Sequence, residues 1–318
     1  MDEHDTRLEL TPFTDEERSA WLDGAEQRLA DEALAMGATS DPDYALRRAR
    51  QRLQGFEPDD AVRASLTHVL VDGAPVTTLW RVDSVVDGAV SRVGVAEPTR
   101  GWGDETALGA LIARAVDEAR DRGAKRLVWV TYPPDDGLGE ALERDGFHRS
   151  STLMRLELPD ALPASEVRLS PMSQERFEAF TEFSIADYAS EVAASGVMSL
   201  EEAEAESRRT YAELLPEGTS TPGNRLLSAS VPDVDGEIGI LWWAEDGPGL
   251  AWIFDIAVGE GHRGRGLGRA LLDAGHADMA GAGVRRVVLN VFGHNETATR
   301  LYVSSGYVPF LRSFSRDL

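Results

Sequence analysis

The chain repeats itself. Leu10-Thr11-Pro12 returns 159 positions later as Leu169-Ser170-Pro171. Gly123 returns as Gly283, and Gly146-Phe147 as Gly306-Tyr307, each after 160 positions. Between these markers both halves predict the same order of elements. A long helical segment, roughly 14–36 and 174–195, is closed by Gly37 and Gly196 in the position of a helix C-cap. A second helix starts near Ser40-Asp41-Pro42 and near Ser199, where Glu202 completes a capping box. Three strand-like runs follow, at about 225–231, 237–244 and 250–258 in the second half, with hairpin signals at Asp72-Gly73 and Asp235-Gly236. A helix, a strand and a helix complete each half. A repeat of this length confines 318 residues to two copies of one α+β unit. The expected division is 1–158 and 166–318, with a Pro-containing linker at 159–165.

Composition narrows the function classes. A net charge of −23 repels phosphate backbones, so nucleic acid is not an expected partner, whereas cationic small molecules are favoured. There is no cysteine, which removes disulfides, thiolate catalysis and cysteine-held metals. The histidines show no metal-ligand spacing, so no metal is expected. No apolar run is long enough to span a membrane, and the first 30 residues are charged throughout, so neither a span nor a secretory leader is expected. The expected location is cytoplasmic. Oligomeric state is not predicted.

One segment carries chemistry. Arg263-Gly264-Arg265-Gly266-Leu267-Gly268-Arg269 follows a strand-like run and opens a helix. Glycines there let successive backbone N–H groups converge on an anion, and the helix start adds free N–H groups and its positive dipole end. Gly259-x-Gly261-x-x-Gly264 also satisfies the dinucleotide fingerprint. That alternative, a dinucleotide-binding oxidoreductase, wants a carboxylate at the end of the next strand, where the chain has Asn290-Val291-Phe292-Gly293. A nucleoside-triphosphate loop fails because no Gly-Lys-Ser/Thr follows. About thirty residues on lies Asn295-Glu-Thr-Ala298-Thr-Arg-Leu301-Tyr302.

Together the two segments resemble the acetyl-CoA-binding motifs of the GNAT superfamily of N-acetyltransferases. The resemblance covers the second half. It implies a three-layer α+β fold in each half: a mixed, mostly antiparallel sheet flanked by helices. It implies acetyl-CoA as co-substrate and a primary amine as acceptor, a small molecule before a protein. By matching position, backbone groups of Ile256 and Val258 would hold the pantetheine arm, and N–H groups from Arg263 to Arg269 the pyrophosphate. Asn295 would contact CoA, and Tyr302 would protonate the leaving thiolate. Asp255, the one carboxylate within Trp252–Val258, is the candidate base. Tyr188 and Glu191, three apart on one helix, are candidate acceptor contacts. The acidic run Glu201–Glu206 reads as a solvated face.

The first half departs from this pattern. The 160-residue offset places Gly103-Asp104-Glu105-Thr106-Ala107-Leu108 on the phosphate loop, Asp135 on Asn295 and Leu142 on Tyr302. Sliding by three residues aligns Arg100–Glu105 and still replaces the last glycine with Glu105. A half that keeps the fold and has lost CoA is the expectation. A non-catalytic acyl-CoA-binding module is the alternative reading of the whole chain.

Overall fold

The computed structural model describes residues 7–56, 62–84, 90–95, 105–133, 137–194 and 199–318. The first half runs β1 (Leu8–Pro12), α1 (Asp15–Leu22), α2 (Ala25–Ala35), α3 (Pro42–Leu53), β2 (Val62–Val71), β3 (Ala74–Ser84), β4 (Val90–Val95), α4 (Glu105–Asp121), β5 (Arg126–Thr131), α5 (Leu138–Arg144) and β6 (His148–Glu157). The second half runs β7 (Arg168–Pro171), α6 (Gln174–Ala194), α7 (Leu200–Leu214), β8 (Asn224–Ser230), β9 (Gly239–Glu245), β10 (Leu250–Val258), α8 (Leu267–Gly281), β11 (Arg286–Phe292), α9 (Glu296–Ser304) and β12 (Val308–Asp317).

Local chemistry explains the helix starts. Asp41 caps α3 by accepting from the N–H groups of Asp43 and Tyr44, with Pro42 in the first turn. The Ser199–Glu202 capping box forms as the spacing predicts. The segment 14–36, expected as one helix, is two. Gly24 adopts φ +76, which breaks the helical hydrogen-bond ladder and lets α1 and α2 turn against each other. Gly37 closes α2 at φ +67; its counterpart Gly196 lies outside the described residues.

The twelve strands among the described residues form one sheet, in the order β1-β2-β3-β4-β5-β12-β6-β11-β10-β9-β8-β7. The pairs β4–β5 and β10–β11 are parallel, and every other pair is antiparallel. The order reveals an exchange. β6, from the first half, pairs with β11 of the second from Arg286↔Glu157 to Phe292↔Ser151. β12, the last strand of the second half, pairs with β5 of the first. Side chains follow: Met154 of β6 is buried in the core of the second half, and Phe314 of β12 in that of the first. The approach is tight where β6 passes the end of β11. A Cβ at Gly293 would sit 1.7 Å from the carbonyl oxygen of Arg149, so only glycine fits.

Helices cover both faces. In the second half α8 and α9 pack on one side through Leu267, Leu271, Leu272, Met279 and Tyr302, while Phe180 of α6 and Leu215 after α7 meet Ile240 and Trp242 on the other. The first half repeats this with α4 and α5 on one side and α1–α3 on the other. Ala38 and Tyr44 of the first half also pack on Leu250, Trp252 and Val288 of the second half's sheet.

Candidate functional site

The glycine-rich segment sits at the mouth of a gap in the sheet. β10 and β11 run parallel and paired only from Leu250↔Arg286 to Ile253↔Leu289. Beyond that, β10 keeps its pairing to β9, and β11 keeps its pairing to β6. The separation coincides with an irregularity at Phe254, where the register jumps from Ile253↔Trp243 to Asp255↔Trp242. An extra residue on one strand bends it away from its neighbour. The edge of β10 that faces β11, including Ile256 and Val258, therefore carries no strand from Phe254 onward among the described residues.

The loop after β10 is built to present N–H groups. Gly264 and Gly266 have φ +75 and +79, conformations that favour glycine. Gly266 is the N-cap of α8 and supplies no side chain to the helix start. The N–H groups of residues 264–268 have no acceptor among the described residues. They converge at a helix N-terminus, the geometry that favours an anion. At Gly268 α8 meets α9, and a Cβ there would make an ordinary contact with Leu301 at 3.6 Å. The side chains divide their work. Arg263 Nε donates to the Val258 carbonyl at 3.1 Å and fastens the loop to the end of β10. Arg269 donates to Ser305 Oγ at 3.0 Å and ties α8 to the end of α9. Arg265 is exposed and has no carboxylate partner among the described residues. Asn295 is the N-cap of α9: its Oδ1 accepts from Ala298 N–H at 3.0 Å.

Tyr302 and Asp255 stand close enough to influence each other. Tyr302 is 7% exposed, and its hydroxyl has no hydrogen-bond partner among the described residues. Burial, and then the charge of Asp255, push the phenol up to about 12. It stays protonated through neutral pH, as a proton donor must. Its ring packs 5.6 Å from that of Tyr307, whose hydroxyl meets His276 Nε2 at 2.9 Å. Burial lowers His276 to about 4, so this supporting pair is neutral. Asp255 is half-buried; burial and then the charge of Asp187 push its carboxyl up to about 6. A carboxyl that titrates near neutrality suits a general base.

On the α6–α7 side the site is aromatic and acidic. Trp242 is the hub: Phe254 stacks on it at 4.6 Å, Tyr211 lies at 5.7 Å and Phe180 meets it edge-on at 6.2 Å. Tyr211 is raised to about 12 by burial, with Asp255, Asp187 and Tyr188 adding to that against a hydrogen bond to Ser184. Tyr188 is thereby placed at this cluster and is 47% exposed. Glu191 lies in α6, and its side chain is outside the described residues. Tyr211, Ser184 and Trp242 had no sequence signal. Helix residues meet strand residues here across 30 to 60 positions, and no local pattern encodes that. Glu201 and Glu202 are exposed on α7, as a solvated face requires.

The first half differs at the corresponding place, although the counterparts of Ile256 and Val258 at the 160-residue offset lie outside the described residues. β4 and β5 remain paired to Gly94↔Val130, and β3–β4 has no irregularity. Arg100–Asp104 and Asp135 lie outside the described residues. Of the aligned loop positions beyond them, Ala107 and Leu108 are buried in the core, as is Leu142 opposite Tyr302. Among the described residues no acidic or histidine cluster has the arrangement of a metal site, and no helix is long and apolar enough to cross a membrane.

The family model "Acetyltransferase (GNAT) family" matches residues 229–307, from the end of β8 to the residue before β12. The N-acetyltransferase YycN of Bacillus subtilis is 32% identical over 144 residues, which is 44% of this chain and 92% of that protein. The mycothiol acetyltransferase of Geodermatophilus obscurus is 26% identical, covering 83% of this chain and 89% of its own. The crystal structure of a GCN5-related N-acetyltransferase from Sphaerobacter thermophilus superposes with a TM-score of 0.57 at 17% identity, covering 98% of this chain and 95% of that one, a likeness of fold.

Proposed function

This chain belongs to the GNAT family of acetyltransferases, and we propose that its second half moves an acetyl group from acetyl-CoA to a primary amine by direct transfer in a ternary complex. The observation that carries the reading is a juxtaposition. A fan of unpaired N–H groups at 264–268 stands at the mouth of the β10–β11 gap, and the unpartnered hydroxyl of Tyr302 and the raised carboxyl of Asp255 lie beside the same strand. Bound acetyl-CoA would supply the activated acyl group.

The chain's own groups have distinct tasks. N–H groups from Arg263 to Arg269 hold the pyrophosphate, and Arg265 adds a free cation. Backbone groups of Ile256 and Val258 hold the pantetheine arm along the unpaired edge, and the Val258 N–H steadies charge on the carbonyl oxygen. Asn295 contacts the CoA chain with the amide nitrogen that its capping bond leaves free. Asp255 accepts the proton of the incoming ammonium, and Tyr302 donates one to the departing sulfur. Asp187, Tyr188 and Tyr211, with Glu191 on the same helix as the first two, receive the amine; a cation among carboxylates and aromatic rings is stabilised by both. The proposed acceptor is a small-molecule amine before a protein side chain. The first half binds no CoA, because the buried Leu142 stands opposite Tyr302 and the buried Leu108 takes the place of the loop's last glycine.

Calorimetric titration with acetyl-CoA tests the reading. One site per chain is expected, with none in Gly266→Val, whose branched side chain is incompatible with φ +79. Two sites would overturn the assignment of the first half. No binding would overturn the acetyl-CoA assignment, and binding without amine-dependent thiol release would mark a binding module.

A further inference from the structure

The first half holds a cavity of about 200 Å3 lined by Arg52, Trp80, Arg92, Gly94, Val130 and Tyr132, among others. Strand register and ring contacts identify what it corresponds to. Trp80 on β3 faces Gly94 on β4, as Trp242 on β9 faces Asp255 on β10. Trp21 meets Trp80 edge-on at 5.8 Å, as Phe180, 159 positions later, meets Trp242. The Arg52 guanidinium lies 5.0 Å from the Trp80 ring, and Tyr211, again 159 positions later, lies 5.7 Å from Trp242. The cavity is the first half's copy of the acceptor pocket.

Its chemistry is inverted. Where the second half has the carboxylate of Asp255, this pocket has Gly94. Where the second half has the phenol of Tyr211, it has the cation of Arg52, and Arg92 adds another. Arg52 has no carboxylate partner among the described residues, in a chain of net charge −23. Trp242 donates its indole N–H to Asn224 Oδ1 at 2.8 Å, while the buried indole N–H of Trp80 has no acceptor among the described residues. A cation, Arg52, and a donor, the Trp80 indole, without acceptors among the described residues and against aromatic walls are the complement of an anion. The volume is below that of ordinary drug-sized sites, which confines the guest to a few heavy atoms and excludes CoA.

We propose that this cavity binds a small organic or inorganic anion, a carboxylate or a phosphate, held by Arg52 and Arg92 against Trp80 and Tyr132. The site is independent of the acetyl-CoA assignment. The test is calorimetric titration of the full-length protein with benzoate and, separately, inorganic phosphate, each with acetyl-CoA present to occupy the 264–268 loop. Saturable binding of one equivalent of either is expected, and the stronger probe tells carboxylate from phosphate. Arg52→Ala and Arg92→Ala should each weaken it about tenfold or more, since each removes a charge-assisted contact. Gly94→Asp should abolish it by restoring the carboxylate of the second half, whereas Gly94→Asn should not. A Cβ at Gly94 lies 3.7 Å from that of Val130, so both side chains can be accommodated and thermal melts serve as the folding control. Absence of saturable binding by both probes, or binding indifferent to Arg52→Ala and Gly94→Asp, would overturn the proposal.

Discussion

Asp255 should impose its own titration on the rate. Burial first, and Asp187 second, raise its carboxyl to about 6, against about 3.9 for a free aspartate. A raised carboxyl is protonated, and useless as a base, up to a higher pH than usual. With a value of about 6 it is about nine-tenths ionised at pH 7 and about one-tenth at pH 5. The quantity kcat/KM for an amine acceptor should therefore fall about ninefold between those values, with a break near 6; an unshifted aspartate would lose under about a tenth of its ionised form over that range. Asp255→Asn should lower kcat/KM at pH 7 by about a hundredfold or more. It should also erase the break, leaving a rise with pH that continues toward the amine's own value near ~10. Asp187→Asn removes a neighbouring negative charge and should move the break to lower pH. The assay is acetyl transfer followed by thiol release across pH 5 to 9 in buffers of constant ionic strength. An Asp255→Asn enzyme that kept the break near 6 would refute the role of this carboxylate.

Two further outcomes test the site and the fold. Tyr302→Phe should reduce kcat about tenfold to a hundredfold with little change in acetyl-CoA affinity, because the ring's packing survives and only the proton donor is lost; equal loss of affinity would make Tyr302 a binding residue. Residues 159–318 expressed alone should fail to give a stable monomer, because they lack β6 and its seven-residue ladder on β11. At about 1 kcal/mol for each net hydrogen bond, that loss rivals the stability of a typical domain. A cooperative, monomeric melt from this fragment, measured by calorimetry and sedimentation, would show that the exchange is dispensable.

What was legible in the sequence is what is encoded locally. The Ser199–Glu202 box, the Asp41-Pro42 start and the left-handed glycines at 264 and 266 each follow from a few neighbouring residues. Asn295 capping α9 is of the same kind. The break at Gly24 was hidden because the apolar pattern runs through it from Trp21 to Leu29, and both residues are buried in one cluster. The strand exchange left no trace at all. β6 and β12 are strands of ten residues that alternate similarly, and the edge of β11 offers the same backbone groups to either. Which one docks is decided by tertiary contacts such as Gly293 against Arg149, separated by more than a hundred positions.

That exchange also gives the first half, proposed to bind no CoA, a structural role in the second. β6 delivers Met154 into the core beneath β11, and its Arg149 carbonyl abuts Gly293, two residues before Asn295. Ala38 and Tyr44 brace the outer face of β10 at Leu250 and Trp252, while a Cβ at Gly247 would press to 3.0 Å from the Tyr44 ring. The scaffold contributed by the first half is therefore carried by β6 and by Ala38 and Tyr44 around the start of α3, whereas its pocket residues Arg52, Trp80 and Gly94 lie at the end of α3 and on β3 and β4. Structural duty and pocket chemistry are separated in space. Substitutions in the pocket could accumulate without loosening the sheet, which is the physical condition under which an acidic, amine-facing pocket and a basic, anion-facing one can share a single duplicated fold.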